Sequence, residues 1–176
     1  MNICIFSSVL DVDEKYTRAG EEFARLMAAH KHDVVCGASN RGMMKRVIDI
    51  VLKEGSKITG IIAEALIAQK AEGYEIIVEK DLAARKAGFL KYSDAFAILP
   101  GGFGTLDEAT EIMELKKHRL HDKPIVFLNI DTSYSGIKEQ LEQMNAEGFL
   151  QRPVSEMAVF ATTPQEALEY IEKYGN

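Results

Sequence analysis

The 176-residue sequence has only two cysteines, Cys4 and Cys36, each inside or at the end of an apolar run. They do not form a Cys-x-x-Cys pair, so the plain expectation is two buried free thiols in a reducing compartment. No basic excess is present: the formal net charge is −6. A general nucleic-acid binder needs a basic face to meet phosphates, and the balance here argues against one. No apolar stretch reaches transmembrane length, which argues against a membrane partner. The first apolar run, Ile3-Cys4-Ile5-Phe6, is too short for a signal-peptide core and follows no basic residue. A cytoplasmic protein is expected.

Several chemistries lack their residues. The spacing Gly-x-Gly-x-x-Gly is missing from Gly37-Ala38-Ser39-Asn40-Arg41-Gly42, which excludes a dinucleotide fingerprint there. No Ser-His-Asp arrangement and no Schiff-base lysine setting stands out. His118 and His121 lie three apart, with Glu114 one turn earlier, but spacing supplies no convincing further ligand. Neither a metal nor an organic cofactor is expected.

What is present is ordinary for a globular domain: 47% apolar and 27% charged residues, enough chain for one sizeable core. Short β-rich runs alternate with helical stretches. Strands are expected at 2–7, 33–37, 57–62, 74–78, 95–99, 125–129 and 157–160. Helices are expected at 16–30, where Ala19, Phe23, Leu26 and Met27 share a face, and at 42–54, 81–92, 105–119 and 135–147. Gly55 and Gly148 read as helix stops. Thr163-Pro164-Gln165-Glu166 opens a last helix with a Thr cap and Pro at the first position. Residues 63–73 read as a loop covering a site. Without a repeat, linker or composition break, this alternation predicts an α/β fold over residues 1–176. The expected architecture is one parallel sheet with helices on both faces, in a single domain. Ligands of such sheets bind beyond the carboxyl ends of the strands.

The segment after Leu99 is the strongest signal. Gly101, Gly102 and Gly104 suit positive φ angles and close approach to a ligand. A helix beginning near Thr105 offers free backbone N–H groups and a positive dipole end, and Thr105 adds a hydroxyl. Together they suit a phosphate. Glu108 has two readings. Thr105-x-x-Glu108 has capping-box spacing; alternatively the carboxylate directs water or steadies a cationic sugar transition state. Arg85-Lys86 is either a solvated basic pair or a grip on phosphate or a polar substrate edge. Ser7, Ser8 and the 37–42 turn follow strands and either line the same cleft or merely connect elements.

Arg85-Lys86, Ser93-Asp94-Ala95-Phe96 and Leu99-Pro100-Gly101-Gly102-Phe103-Gly104-Thr105-Leu106-Asp107-Glu108 resemble the LOG ("lonely guy") family. His121-Asp122-Lys123-Pro124, Leu128-Asn129 and Glu147-Gly148-Phe149 fit as well. The resemblance implies a Rossmann-like homodimer that hydrolyses the N-glycosidic bond of a nucleoside 5′-monophosphate. The substrate class is cytokinin riboside monophosphates or AMP. It implies Arg85 and Glu108 as the catalytic pair. Lys86, Gly101, Gly102, Phe103, Gly104, Thr105, Leu106 and Asp107 would bind substrate. Many relatives were once labelled lysine decarboxylases, an activity that the missing pyridoxal site argues against. The first half departs from the family pattern. Gly37-Ala38-Ser39-Asn40-Arg41-Gly42-Met43-Met44-Lys45 stands where the family usually has Gly-Gly-Gly-x-x-Gly-Leu-Met-Gly, and Ile5-Phe6-Ser7-Ser8 where it has Cys-Gly-Ser-Ser.

Overall fold

Seven short runs rich in Val, Ile, Phe and Ala form strands: β1 (Asn2–Phe6), β2 (Asp33–Cys36), β3 (Ile58–Ala63), β4 (Glu75–Glu79), β5 (Ala95–Ile98), β6 (Ile125–Leu128) and β7 (Val159–Ala161). In this computed structural model, which describes residues 1–175, all six neighbouring pairs run parallel. The order is β4-β3-β2-β1-β5-β6-β7. Among the described residues are seven α-helices: α1 (Glu14–Ala29), α2 (Gly42–Lys53), α3 (Leu82–Tyr92), α4 (Phe103–Lys117), α5 (Ser135–Ala146), the four-residue α6 (Val154–Met157) and, after the last strand, α7 (Pro164–Tyr174).

The central strands are apolar throughout because both faces are covered. Successive side chains alternate between two cores. Ile3 and Ile5 of β1 pack with Phe23 and Met27 of α1, Val47 of α2 and Leu168 of α7. Cys4 and Phe6 pack with Phe89 of α3 and Ile112 of α4. A fully buried side chain of this size contributes about 1.5–3 kcal/mol, so slipping any central strand by one residue would misplace the whole set. Both cysteines are free and buried. Burial pushes the Cys36 thiol up to about 11 and Cys4 well above its usual value, so neither is primed as a nucleophile.

Four boundaries differ from the sequence reading, each for a local reason. Helix α1 starts at Glu14, not Tyr16, because the Asp13 carboxylate accepts the Lys15 N–H at 3.0 Å and caps it. The 63–73 segment contains a 3-10 turn, Glu64–Gln69. It is tied to the β2 turn where Asn40 N–H donates to Gln69 O and Ala71 N–H to Ala38 O. Met157 ends α6 rather than opening the last strand, since Pro153 enters a helical turn closed by the Ala158 N–H on Val154 O. Helix α4 begins two residues early, at Phe103 with Gly102 as its cap. The others match within one or two residues, including the Thr163 cap and Pro164 of α7.

From β1 to β4 the chain moves steadily towards one edge. It then returns to lay β5 on the other side of β1. That reversal opens a crevice beyond the carboxyl ends of β1 and β5. No described helix is long and apolar enough to cross a membrane.

Candidate functional site

A cleft of about 370 Å³ occupies the reversal point. Its walls come from the residues just after β1 (Ser7 to Leu10) and β2 (Gly37, Ser39), from the 3-10 turn (Leu66, Gln69) and from α4 (Gly102 to Thr105, Glu108). Arg85 reaches in from α3.

The α4 end of the cleft is open to an anion. Its first helical bond runs from Leu106 N–H to Gly102 O at 3.0 Å, and Gly102 brings no side-chain cap. The N–H groups of Phe103, Gly104 and Thr105 therefore have no partner within the helix, and they carry its positive dipole end. The glycines serve a different purpose from the one their type suggested. Positive φ among glycines occurs at Gly42, Gly55, Gly73 and Gly148, not at Gly101, Gly102 or Gly104. A Cβ on Gly101 would lie 2.1 Å from Thr105 Oγ1, whereas Cβ atoms on Gly102 and Gly104 would meet nothing within 4 Å. Gly101 lets Thr105 fold back against the turn. The other two keep the space before the N–H groups empty.

Arg85 and Glu108 meet at the floor. Asp81 caps α3 by accepting the Ala84 N–H at 2.7 Å, which fixes the helix that carries Arg85. Arg85 Nη1 donates to Glu108 Oε1 at 2.8 Å and Nε to Ile61 O at 3.0 Å. Its guanidinium lies over the Phe89 ring at 4.8 Å. The two side chains are only 12% and 9% exposed. Burial pushes the Glu108 carboxyl above its usual value, while Arg85 pulls it back in part. Desolvating such a pair costs about what the attraction returns, so it is weak support for stability. A perturbed carboxylate facing a cleft points to chemistry instead. With Gly102 as the cap, Glu108 sits in the second turn of α4, too far along to close a capping box, and its carboxylate goes to Arg85.

The remaining residues named by the resemblance divide. Thr105 is buried beside Glu108, and Phe103 stands 94% exposed at the cleft lip. Lys86 and Asp107 pair with each other at 3.1 Å, and Lys86 also reaches Glu111 at 3.3 Å, outside the cleft lining. Leu106 turns away to pack on the second core. His118 and His121 do not converge: one contacts Glu114, the other the Ile112 carbonyl.

Sequence spacing left the opposite wall open, and the fold fills it. Ser7 and Ser39 each place a buried hydroxyl there without a hydrogen-bond partner, above the apolar side chains of Met44, Ile62 and Leu66. Unpaired buried hydroxyls cost free energy unless something meets them. The available signal was position: Ser7 follows β1 directly, Ser39 lies in the turn after β2, and Leu66 falls in the 63–73 segment read as covering a site. Met44 had none. The cleft thus joins an anion seat, a buried carboxylate–guanidinium pair and a half-apolar wall.

Residues 44–171 match the family model described as "Possible lysine decarboxylase". The chain is 32% identical over 176 residues to "Probable cytokinin riboside 5'-monophosphate phosphoribohydrolase LOGL2" of Oryza sativa subsp. japonica, covering 98% of this chain and 72% of the relative. It is also 32% identical to "Cytokinin riboside 5'-monophosphate phosphoribohydrolase LOG3" of Arabidopsis thaliana, covering 98% and 82%. Among solved structures, the Moco carrier protein of Chlamydomonas reinhardtii superposes with a TM-score of 0.74 at 16% identity, covering 98% of this chain and 96% of that one. The molybdenum cofactor binding protein of Rippkaea orientalis gives 0.73 at 18% identity, covering 98% and 95%. At such identities these two share the Rossmann-like fold with this chain.

Proposed function

The chain belongs to the LOG family, and from that premise we propose that it is a phosphoribohydrolase that cleaves the N-glycosidic bond of a nucleoside 5′-monophosphate. Cytokinin riboside monophosphates or AMP are the substrate class, and base and ribose 5-phosphate the products. The observation that carries this reading is the Arg85–Glu108 pair, 2.8 Å apart and buried beside the open amino end of α4.

In this mechanism the 5′-phosphate occupies the α4 end and accepts from the N–H groups of Phe103, Gly104 and Thr105. The sugar then lies over Glu108. As the C1′–N bond breaks, positive charge grows on the ribose, and the ionised carboxylate stabilises it and directs water to C1′. Arg85 orients Glu108 and presents its remaining donors to the departing base. The water oxygen stays on C1′, and a proton leaves with the base. Ser7 and Ser39 supply hydroxyls, and Met44 and Leu66 an apolar surface, along the opposite wall. No step requires a metal or an organic cofactor.

The test is incubation with AMP, cytokinin riboside monophosphates and the matching unphosphorylated nucleosides, with free base measured. Base appears from the monophosphates and far more slowly from the nucleosides. Glu108→Gln lowers kcat by roughly 10²–10⁴-fold. Because only ionised Glu108 serves, kcat/KM falls as pH drops through its raised pKa, so the acid limb is displaced upward from the usual carboxylate value. No release from any monophosphate overturns the enzymatic reading. Tight monophosphate binding without release supports the other one, a non-catalytic phosphate-ligand binder. The side chains at Ala38, Ser39 and Lys45 favour that reading, since they stand where the family usually has glycine.

A further inference from the structure

At the opposite end of the sheet, three side chains converge that the reaction does not use. Helix α1 ends at His30, Lys31 takes φ 60°, and the His32 N–H bonds back to Met27 O at 2.9 Å. This tight reversal throws His30 and His32 to the same side just before β2. Glu172, from α7, accepts from both rings on one oxygen: His30 Nδ1 at 2.7 Å and His32 Nε2 at 2.9 Å. Among the described residues, these atoms form a group with metal-ligand spacing, all within 4.8 Å of one another.

We propose that His30 Nδ1, His32 Nε2 and a Glu172 carboxylate oxygen form a binding site for a divalent transition-metal ion of the zinc class. Two imidazoles and one carboxylate are a borderline donor set, suited to zinc, cobalt or nickel rather than magnesium or calcium. Metal–nitrogen and metal–oxygen distances of about 2.0–2.2 Å separate tetrahedral ligands by about 3.4 Å. The two nitrogen–oxygen contacts, now 2.7 and 2.9 Å, lengthen by about 0.5–0.7 Å to reach that spacing, and the two ring nitrogens already lie within 4.8 Å of each other. On binding, each neutral ring carries its proton on the nitrogen away from the ion, and the lone pairs of His30 Nδ1 and His32 Nε2 turn to the metal. Water completes the coordination, since His30 and Glu172 remain partly exposed. His32 is buried, which fixes one ligand. The ion would staple α7 to the turn between α1 and β2. Being at the far end of the sheet, the site stands or falls independently of the hydrolase reading.

Titration of the metal-free protein with Zn²⁺ and, separately, Co²⁺ tests it by calorimetry, visible absorption and thermal melting. Wild type binds one ion per chain, shows the d–d bands of nitrogen- and oxygen-bound Co²⁺, and gains roughly 5–10 °C in Tm at free zinc about 100-fold above Kd. His30→Ala removes a half-exposed side chain, so it folds, and it weakens binding at least about tenfold. Glu172→Gln does likewise. His118→Ala, a surface control, binds as wild type does. Absence of saturable binding by wild type, or equal affinity in His30→Ala, overturns the proposal.

Discussion

Two strand-to-helix turns face each other across the cleft, the one after β2 (residues 37–42) and the one after β5 (residues 99–103), and they use glycine for opposite reasons. In the β5 turn the glycines keep ordinary φ and act by leaving room. In the β2 turn Gly42 takes φ 55°, and a Cβ there would strike the Val9–Leu10 backbone at 2.4–2.5 Å. Gly37 makes room for the Arg85 side chain instead: its Cβ would lie 2.3 Å from Arg85 Nη2. Ala38, between them, takes φ 60° with a side chain attached. One turn therefore leaves open space at Gly102 and Gly104, whereas the other is shaped by its neighbours and by strain.

Gly37→Ala is the sharpest way to break this division. The clashing atom is the far end of a flexible side chain, so the fold survives by moving Arg85. That movement separates Arg85 from Glu108 in the site. A misplacement of about 1 Å costs about 100-fold in rate. The expected outcome is a fall of that size in kcat/KM for base release, with Tm nearly unchanged. A large loss of Tm instead would show that Gly37 is needed for the backbone, like Gly42.

The same contrast explains what could be read in advance. The parallel sheet was legible because central strands such as Ala95–Ile98 are apolar on both faces, and because Gly55, Gly148 and the Thr163-Pro164 pair mark helix ends through their own backbone chemistry. Glu108 was legible from its spacing as a candidate, but its pairing with Arg85 came only from the family resemblance, since their contact crosses 23 positions and depends on how α3 and α4 flank the sheet. The start of α4 was misplaced because a glycine cap leaves no side-chain signature, whereas Thr105 imitates one. The wall formed by Ser39, Met44 and Leu66 was legible only as two segments, the 37–42 turn and the 63–73 loop, and not residue by residue. Its members come from separate elements, and nothing in their types distinguishes a lining residue from a core one.

Gly102→Ala probes the other turn. Its added methyl meets nothing within 4 Å, so stability stays within about 0.5 kcal/mol. The methyl does occupy space that a phosphate needs beside the α4 N–H groups. KM for the monophosphate rises roughly tenfold, with a much smaller change for an unphosphorylated nucleoside. Equal effects on both substrates would place the phosphate elsewhere.

Ala38→Gly should do least, and for a reason that tests the account of strain. Holding alanine in the left-handed region costs about 1–2 kcal/mol, and glycine removes that cost. Glycine also loses about 0.5–1 kcal/mol through greater freedom of the unfolded chain. Ala38 is fully buried, and its Cβ lies close to Gly60, where an added methyl would come within 2.7 Å of it. Removing that Cβ forfeits about 0.8 kcal/mol of burial. The three effects nearly cancel, so chemical denaturation should show a change within about 1 kcal/mol. A gain well beyond that would mean that strain at Ala38 dominates the turn. A comparable loss would mean that the methyl packed on Gly60 does, and that the β2 turn is held by contact rather than by conformation.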